Sequence, residues 1–206
     1  TGEAEVPEFS SLELRDVTFT YDFSDKPKYE WHDADWEKPE GEHSSAEALK
    51  NVSLSLSRGE KIAIVGYNGA GKTTLIKLLM RLYDPTSGQI LMNGRDIREY
   101  DLDAYREKIG VVFQDFKIYA ASIAENVMNG DYDPEHDRET VIAALDKAGF
   151  SEKLATLEQG VDTTLTREFD KKGTNLSGGE GQKVAIARVF ARDYELIIMD
   201  LSLIHI

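Results

Sequence analysis

Apolar and polar residues alternate roughly through Leu12, Leu14, Val17, Phe19 and Tyr21, and again through Leu49, Val52, Leu54 and Leu56. That spacing predicts two β-strands of an edge sheet. Arg58-Gly59 reads as a turn, and Lys61-Ile62-Ala63-Ile64-Val65 after it reads as a strand of the buried type. Leu75, Leu78, Leu79 and Leu82 recur at i, i+3, i+4 and i+7, which predicts a helix with one apolar face. Gln89-Ile90-Leu91-Met92 and Arg95-Asp96-Ile97 flank Asn93-Gly94, the two-residue hairpin signal. Asp101 stands where it can cap a helix over 102–108, and 109–113 returns as a strand ending at Gln114. Helical spacing occupies 122–156, with Val141, Ala144, Leu145 and Ala148 on one face. A last helix opens at Ser177 and runs through Val184, Ala187 and Val189, and a final apolar strand leads to Asp200. The pattern is mixed α/β with no internal repeat.

One stretch breaks this rhythm. Residues 22–48 carry many acidic side chains, Trp31 and Trp36, and little apolar periodicity, so they read as an inserted loop. His32, Asp33, Asp35, Glu37, Glu42 and His43 match no metal-ligand spacing and read as solvated surface. With 206 residues, 41% of them hydrophobic, the chain is long enough for one or two domains with a sizeable core. The 24 basic residues face 38 acidic ones, a net charge of −14. That is a poor footprint for nucleic acid, which needs a basic face to neutralise phosphates. There is no cysteine, which excludes disulfides and thiolate metal sites and suits a reducing compartment. The apolar runs are too short to cross a bilayer, so any membrane-spanning part is expected outside this sequence.

Two glycine-rich segments bring in chemistry. Gly66-Tyr67-Asn68-Gly69-Ala70-Gly71-Lys72-Thr73, followed by Thr74, fits G-x-x-x-x-G-K-[ST]. It lies between the strand expected over 61–65 and the helix carrying Leu75, the context the motif needs. In such a loop backbone N–H groups cradle phosphate oxygens, Lys72 reaches the β and γ phosphates, and the Thr73 hydroxyl faces Mg²⁺. A chance match at a helix start is the plain alternative. Leu176-Ser177-Gly178-Gly179-Glu180 reads two ways at once. Ser-x-x-Glu is a capping box, and a capped helix start with two glycines is also an anion site. Asp200 follows four apolar residues, and a buried carboxylate there needs a partner. The carboxylate that helps hold Mg²⁺ in phosphate-loop ATPases sits in this kind of place; a strand-ending capping Asp is the alternative.

In this order, with the strand to Asp200 after them, the two segments resemble those of the ATP-binding cassette (ABC) ATPases, over nearly all of 11–200. The resemblance implies an α/β fold: a phosphate-loop nucleotide-binding core, an antiparallel β subdomain, and a helical subdomain within 115–176. It implies ATP and Mg²⁺ as ligands, with Gly66, Asn68, Gly69, Ala70, Gly71, Lys72, Thr73 and Thr74 around the phosphates. Tyr21 falls where the family places an aromatic that stacks on adenine, a contact worth about 1–3 kcal/mol. Its plain reading is the end of an amphipathic strand, and Tyr29, Trp31 or Trp36 in the inserted loop are alternatives for the role. Gln114 matches the glutamine that contacts Mg²⁺ or water and meets the membrane domain; its plain reading is a polar strand cap. With Thr73 and Asp200 it makes up the metal set that the resemblance implies. Ser177, Gly178, Gly179 and Glu180 become the signature that faces ATP held by a second cassette, of the same or another chain. The family often has Gln at the place of Glu180, and a charge near a γ-phosphate implies that Glu180 points away from it.

The kind of cassette also shows a resemblance. Ser122-Ile123-Ala124-Glu125-Asn126-Val127, soon after Gln114, resembles the exporter pattern. Thr166-Arg167-Glu168-Phe169-Asp170-Lys171-Lys172-Gly173 stands where exporters carry a coupling loop, and Ser11-Leu12-Glu13-Leu14-Arg15-Asp16-Val17 resembles the start of a cassette fused behind a transmembrane domain. The implied protein is the ATPase domain of an exporter-like ABC transporter, at the cytoplasmic face of the cell membrane. Residues 1–10 are then a linker from an upstream transmembrane domain, and 11–200 the cassette. Two rivals share the motifs. A soluble ABC ATPase acting on DNA or ribosomes would carry a coiled-coil insertion or a second cassette with basic linkers, and this sequence has neither. A degenerate cassette would bind ATP without hydrolysing it.

That second rival turns on position 201. The family expects a glutamate directly after the strand's aspartate, to polarise the attacking water, and Leu201 stands there. Beyond the electrostatic part of Lys72, no catalytic residue is therefore assigned. Leu201-Ser202-Leu203-Ile204-His205-Ile206 is also one reading frame of the transposon-end adapter used in tagmentation libraries (CTG TCT CTT ATA CAC ATC). Residues 201–206 are accordingly expected to be a non-native scar, with Glu as the natural residue at 201. The transported substrate is chosen by the membrane domain in this family and is not legible here.

Overall fold

A computed structural model describes residues 2–22, 45–67, 69–166 and 173–200, in two compact units, Thr1–Arg106 and Glu107–Ile206. In the first unit, β1 (Ser11–Asp22), β2 (Ser45–Ser57), β3 (Ser87–Met92) and β4 (Arg95–Asp96) form an antiparallel sheet in the order β2-β1-β3-β4. Leu12, Leu14, Val17 and Phe19 are all buried although their numbering changes parity midway. A bulge accounts for this. Asp16 takes φ 48°, and the register of β1 against β2 shifts between Leu14 and Val17, which keeps one face apolar. Asn51, also at φ 48°, does the same for β2 between Leu49 and Val52.

Tyr21 pairs with Ala46 and Asp22 with Ser45. The insertion expected over 22–48 is therefore shorter at its far end, where Ser45 to Ala48 already belong to β2. Tyr29, Trp31, Trp36 and the His32–His43 cluster lie outside the described residues. The turn between β3 and β4 has Asn93 at φ 54° and Gly94 at φ 78°, the doubly left-handed geometry that Asn-Gly favours. Residues 4–10, within the expected linker, pack onto this unit. Val6 and Phe9 are buried, and Asn93 Oδ1 accepts from Ser10 N at 2.7 Å and Ser11 N at 3.0 Å.

Helix α1 (Lys72–Leu79) buries Leu75, Leu78 and Leu79 as the periodicity predicts. Leu82 does not belong to that face and is 47% exposed. The helix stops because Arg81 turns left-handed at φ 53°, and Leu82 N then donates to Lys77 O at 2.9 Å. The last carbonyls of α1 are met by α2 (Leu102–Glu107), which Asp101 caps through Ala104 N at 2.9 Å. Tyr105 donates its hydroxyl to Leu79 O at 2.7 Å, and Arg106 donates to Met80 O at 3.1 Å and Arg81 O at 2.8 Å. Burial raises the pKa of the Tyr105 hydroxyl, so it remains a donor.

The strand expected over 61–65 does not form. Ile62, Ile64 and Val65 are 43%, 48% and 76% exposed, and no strand of either described sheet pairs with them. Apolar composition favours burial, but a strand exists only where a neighbour supplies the ladder.

The second unit is helical around a short parallel sheet. β5 (Ile109–Val112) pairs with β6 (Leu196–Met199), and α3 (Ile123–Met128), α4 (Arg138–Lys147), α5 (Ser151–Leu154) and α6 (Gly178–Phe190) follow β5 in the chain. Ile123, Val127, Val141, Leu145, Phe150, Val184 and Ala187 build its core, with Ala148 packed against it. Ile197 and Met199 are 42% and 41% exposed, so the strand before Asp200 is not the buried one its composition predicts. Two strands leave part of each face uncovered. Among the described residues no helix is long and apolar enough to cross a membrane.

Candidate functional site

The glycine loop rests on left-handed backbone. Gly69 and Gly71 both take φ 85°. A Cβ on Gly71 would stand 2.5 Å from the carbonyl oxygen of Ala48 and 2.7 Å from Leu49 Cδ2, so only glycine fits. Gly71 is the N-cap of α1 and has no side chain, so no cap group competes for the first-turn N–H donors. Ala70 N donates to Tyr67 O at 3.1 Å and closes the loop. Lys72 Nζ donates to Gly66 O at 2.6 Å and Tyr67 O at 2.9 Å. Between Gly66 and Thr74 the sequence offers backbone amides, one ammonium, the hydroxyls of Tyr67, Thr73 and Thr74, the Asn68 amide, and no carboxylate. That donor set fits a triphosphate. Thr73 is exposed at the start of α1, and Asn68 lies outside the described residues.

Thr74 is buried, and its Oγ1 lies 3.2 Å from the hydroxyl of Tyr21. The ring of Tyr21 meets Phe19 and Tyr83 edge to face, with centroids 4.8 and 5.6 Å away. Tyr21 is thus tied by its hydroxyl to the helix that follows the glycine loop. Sequence reasoning passed over Tyr83, which has no periodic signal of its own.

Gln114 and Asp200 come off the same end of the parallel sheet. Val112 is opposite Met199, and Asp200 N donates to Val112 O at 2.8 Å. Ligands of parallel α/β sheets gather at the carboxyl ends of the strands. Gln114 is exposed there and Asp200 half-buried.

Ser177, Gly178, Gly179 and Glu180 open α6 as a capping box. Ser177 Oγ accepts from Glu180 N at 3.3 Å, and Glu180 Oε2 accepts from Ser177 N at 2.8 Å. Cβ atoms on Gly178 or Gly179 would meet nothing within 4 Å, so this helix start is open. Glu180 Oε1 lies 3.2 Å from Lys153 Nζ. The hydrogen bond from Ser177 N–H, then Lys153, holds the Glu180 carboxyl below the usual range. A second box opens α3, with Ser122 N donating to Glu125 Oε2 at 2.8 Å and Glu125 N to Ser122 Oγ at 3.1 Å. The same Ser-x-x-Glu signal was there to be read. Of the expected coupling loop, residues 167–172 lie outside the described residues.

The sequence profile described as ABC transporter matches residues 49–201. The chain is 44% identical over 160 residues to the mitochondrial iron-sulfur clusters transporter ATM1 of Saccharomyces cerevisiae, covering 78% of this chain and 22% of that protein. It is 42% identical over 156 residues to the subtilin transport ATP-binding protein SpaT of Bacillus subtilis, covering 75% of this chain and 25% of that one. The solved structure of a bacterial Atm1-family ABC exporter with ATP bound aligns at a TM-score of 0.72 and 32% identity, over 97% of this chain and 30% of that one. The chain thus spans about a quarter of the length of these relatives.

Proposed function

The chain belongs to the ABC transporter family, and on that premise we propose that it is the ATP-binding and hydrolysing domain of an exporter, working as one of two paired cassettes. The observation that carries this reading is the phosphate loop: left-handed glycines at 69 and 71, a cap without a side chain, and Lys72 turned onto the loop. Lys72 binds the β and γ phosphates as a charge-assisted donor. Thr73 in the first unit, and Gln114 and Asp200 in the second, are the residues that the family's pattern would assign to Mg²⁺. Tyr21 offers its ring to the adenine and is kept in place by Thr74. The helix start at Ser177 to Glu180 presents donors to ATP held by the second cassette, of the same or another chain. When bound, Mg-ATP supplies the phosphoryl group whose transfer to water drives the cycle.

A transmembrane domain, fused upstream, would complete the transporter and place this domain at the cytoplasmic face of a membrane. The relatives and the solved exporter structure named above support an export reading. None of these relatives is named as acting on DNA or ribosomes, and the net charge of −14 argues against nucleic acid as a partner. The degenerate reading has one observation in its favour, Leu201 in place of the expected glutamate, and it stands or falls with whether that residue is native.

Titration with a fluorescent ATP analogue tests the core of the proposal. Removing the charged contact in Lys72→Ala costs about 1.5–3 kcal/mol for a bond of this kind, roughly ten- to hundredfold in affinity. Equal affinities in folded wild type and variant would refute the role of Lys72.

A further inference from the structure

Glu180 puts a negative charge on the third residue of α6, beside two glycines in open space. A carboxylate there favours its own helix, yet it opposes any anion approaching the same amides. Two contacts turn it away. Oε2 is folded back onto Ser177 N at 2.8 Å, and Oε1 lies 3.2 Å from Lys153 Nζ on α5. Both side chains are about two-thirds covered, at 27% and 30% exposure, so solvent screens the pair less than a free surface pair. Lys153 thus meets Glu180 from outside its own helix, and the two come from segments that local sequence pattern does not connect.

We propose that Lys153 is a charge-compensating, positioning residue of the signature: it holds Glu180 against the cap and cancels its charge, so that the start of α6 presents a net neutral set of donors to a triphosphate. The inference rests on the reading that Ser177 to Glu180 meets ATP bound by a second cassette. It also explains how this chain accommodates Glu at 180. Gln completes a capping box as well as Glu does but needs no cation beside it, so Lys153 becomes dispensable once residue 180 is neutral.

That dependence gives the test. MgATP-dependent dimerisation of the 206-residue chain is followed by sedimentation velocity for wild type, Lys153→Met, Glu180→Gln and the double variant, each checked by thermal melting. Lys153→Met keeps the aliphatic stem and should raise the MgATP concentration for half-dimerisation about two- to fivefold, the range of one charge at a helix N-terminus. The effect of Lys153→Met should vanish once residue 180 is Gln, so the double variant should match Glu180→Gln. Added salt should narrow the gap. Lys153→Gln serves if Lys153→Met does not fold. A Lys153 variant equal to wild type, or a double variant as weak as Lys153→Met, overturns the proposal. Gly178→Asp separates the layers. If it dimerises like wild type, or if wild type forms no nucleotide-dependent dimer, the signature reading fails and takes this inference with it. If Gly178→Asp abolishes dimers while Lys153→Met is silent, only the inference fails.

Discussion

Arg188 on α6 donates from Nε to the carbonyl of Asn126 at 2.8 Å and from Nη2 to its side-chain Oδ1 at 3.2 Å, which ties α6 to α3. Asn126 is fully buried and uses both ends of its amide. Oδ1 accepts from Tyr119 N at 2.8 Å, and Nδ2 donates to Tyr119 O and Ser122 O, each at 3.0 Å. Arg188 also donates to Lys117 O at 2.7 Å and lies 5.3 Å from the centre of the Tyr119 ring. The segment that follows Gln114 is thereby pinned to two helices, one of which begins with the Ser177–Glu180 capping box.

Asn126→Leu should therefore cost more than one ordinary hydrogen bond. It keeps the volume but leaves the part-buried Tyr119 amide without its acceptor and the Tyr119 carbonyl without its donor, while Arg188 Nη2 keeps Lys117 O, and a group so stranded costs up to about 1–3 kcal/mol. A total of roughly 2–4 kcal/mol is expected, read from the urea midpoint. A loss under about 0.5 kcal/mol, the size of an ordinary surface change, would mean the network is replaceable.

Gly71 and Gly69 share a φ of 85° but not their surroundings. Gly71→Ala meets the Ala48 carbonyl at 2.5 Å, whereas Gly69→Ala has nothing within 4 Å. The second should cost only the left-handed penalty of about 1–2 kcal/mol. The first should cost clearly more and weaken nucleotide binding, because loop and strand must separate. Thermal melts of the two variants decide it; equal losses would show that the close approach is relaxed without cost.

Acid stability offers a third check. Asp96 is buried and accepts from Arg98 N and Nε, each at 2.9 Å, and from Nη2 at 2.6 Å. The Arg98 side chain chiefly holds its carboxyl below the usual range. A carboxyl depressed in the folded state contributes stability that is full above its unfolded pKa of about 4 and is lost as pH falls through the lower folded value. Asp96→Asn should lower Tm at neutral pH and flatten its fall as the pH drops below about 4. An unchanged acid arm would assign that fall to other carboxylates.

What the sequence made legible was local. Asn93-Gly94 requires two positive φ angles, and Ser177 with Glu180 requires only a helix start, so both could be read from a few residues. The phosphate loop was legible for the same reason: its glycines answer to contacts and dihedrals within or beside the motif. The bulges at Asp16 and Asn51 were not, because one left-handed residue changes the phase of an alternation without changing its composition. Residues 61–65 misled for a different reason. Their apolar character states a preference for burial and says nothing about which strand would pair with them. Arg188 with Asn126, 62 residues apart, and Lys153 with Glu180 depend on how helices pack, which no window of sequence encodes.

The last prediction concerns turnover. On the proposed reading Lys72 and the loop amides bind phosphates, but a bound phosphoryl group still needs a base or water-orienting group beside it, and the family's place for one is the position directly after Asp200. Leu201 offers neither a proton acceptor nor a hydrogen bond there. Losing such a group typically removes about 10²–10⁴-fold in rate. The 206-residue chain should accordingly bind ATP while releasing phosphate at close to background rate, and Lys72→Ala should change binding but hardly change that rate. Malachite-green assays on wild type and Lys72→Ala, run beside the titrations, separate the two quantities. Sustained release from the wild-type chain that Lys72→Ala abolishes would show that another residue activates the water, and the assignment of the deficit to position 201 would have to be withdrawn.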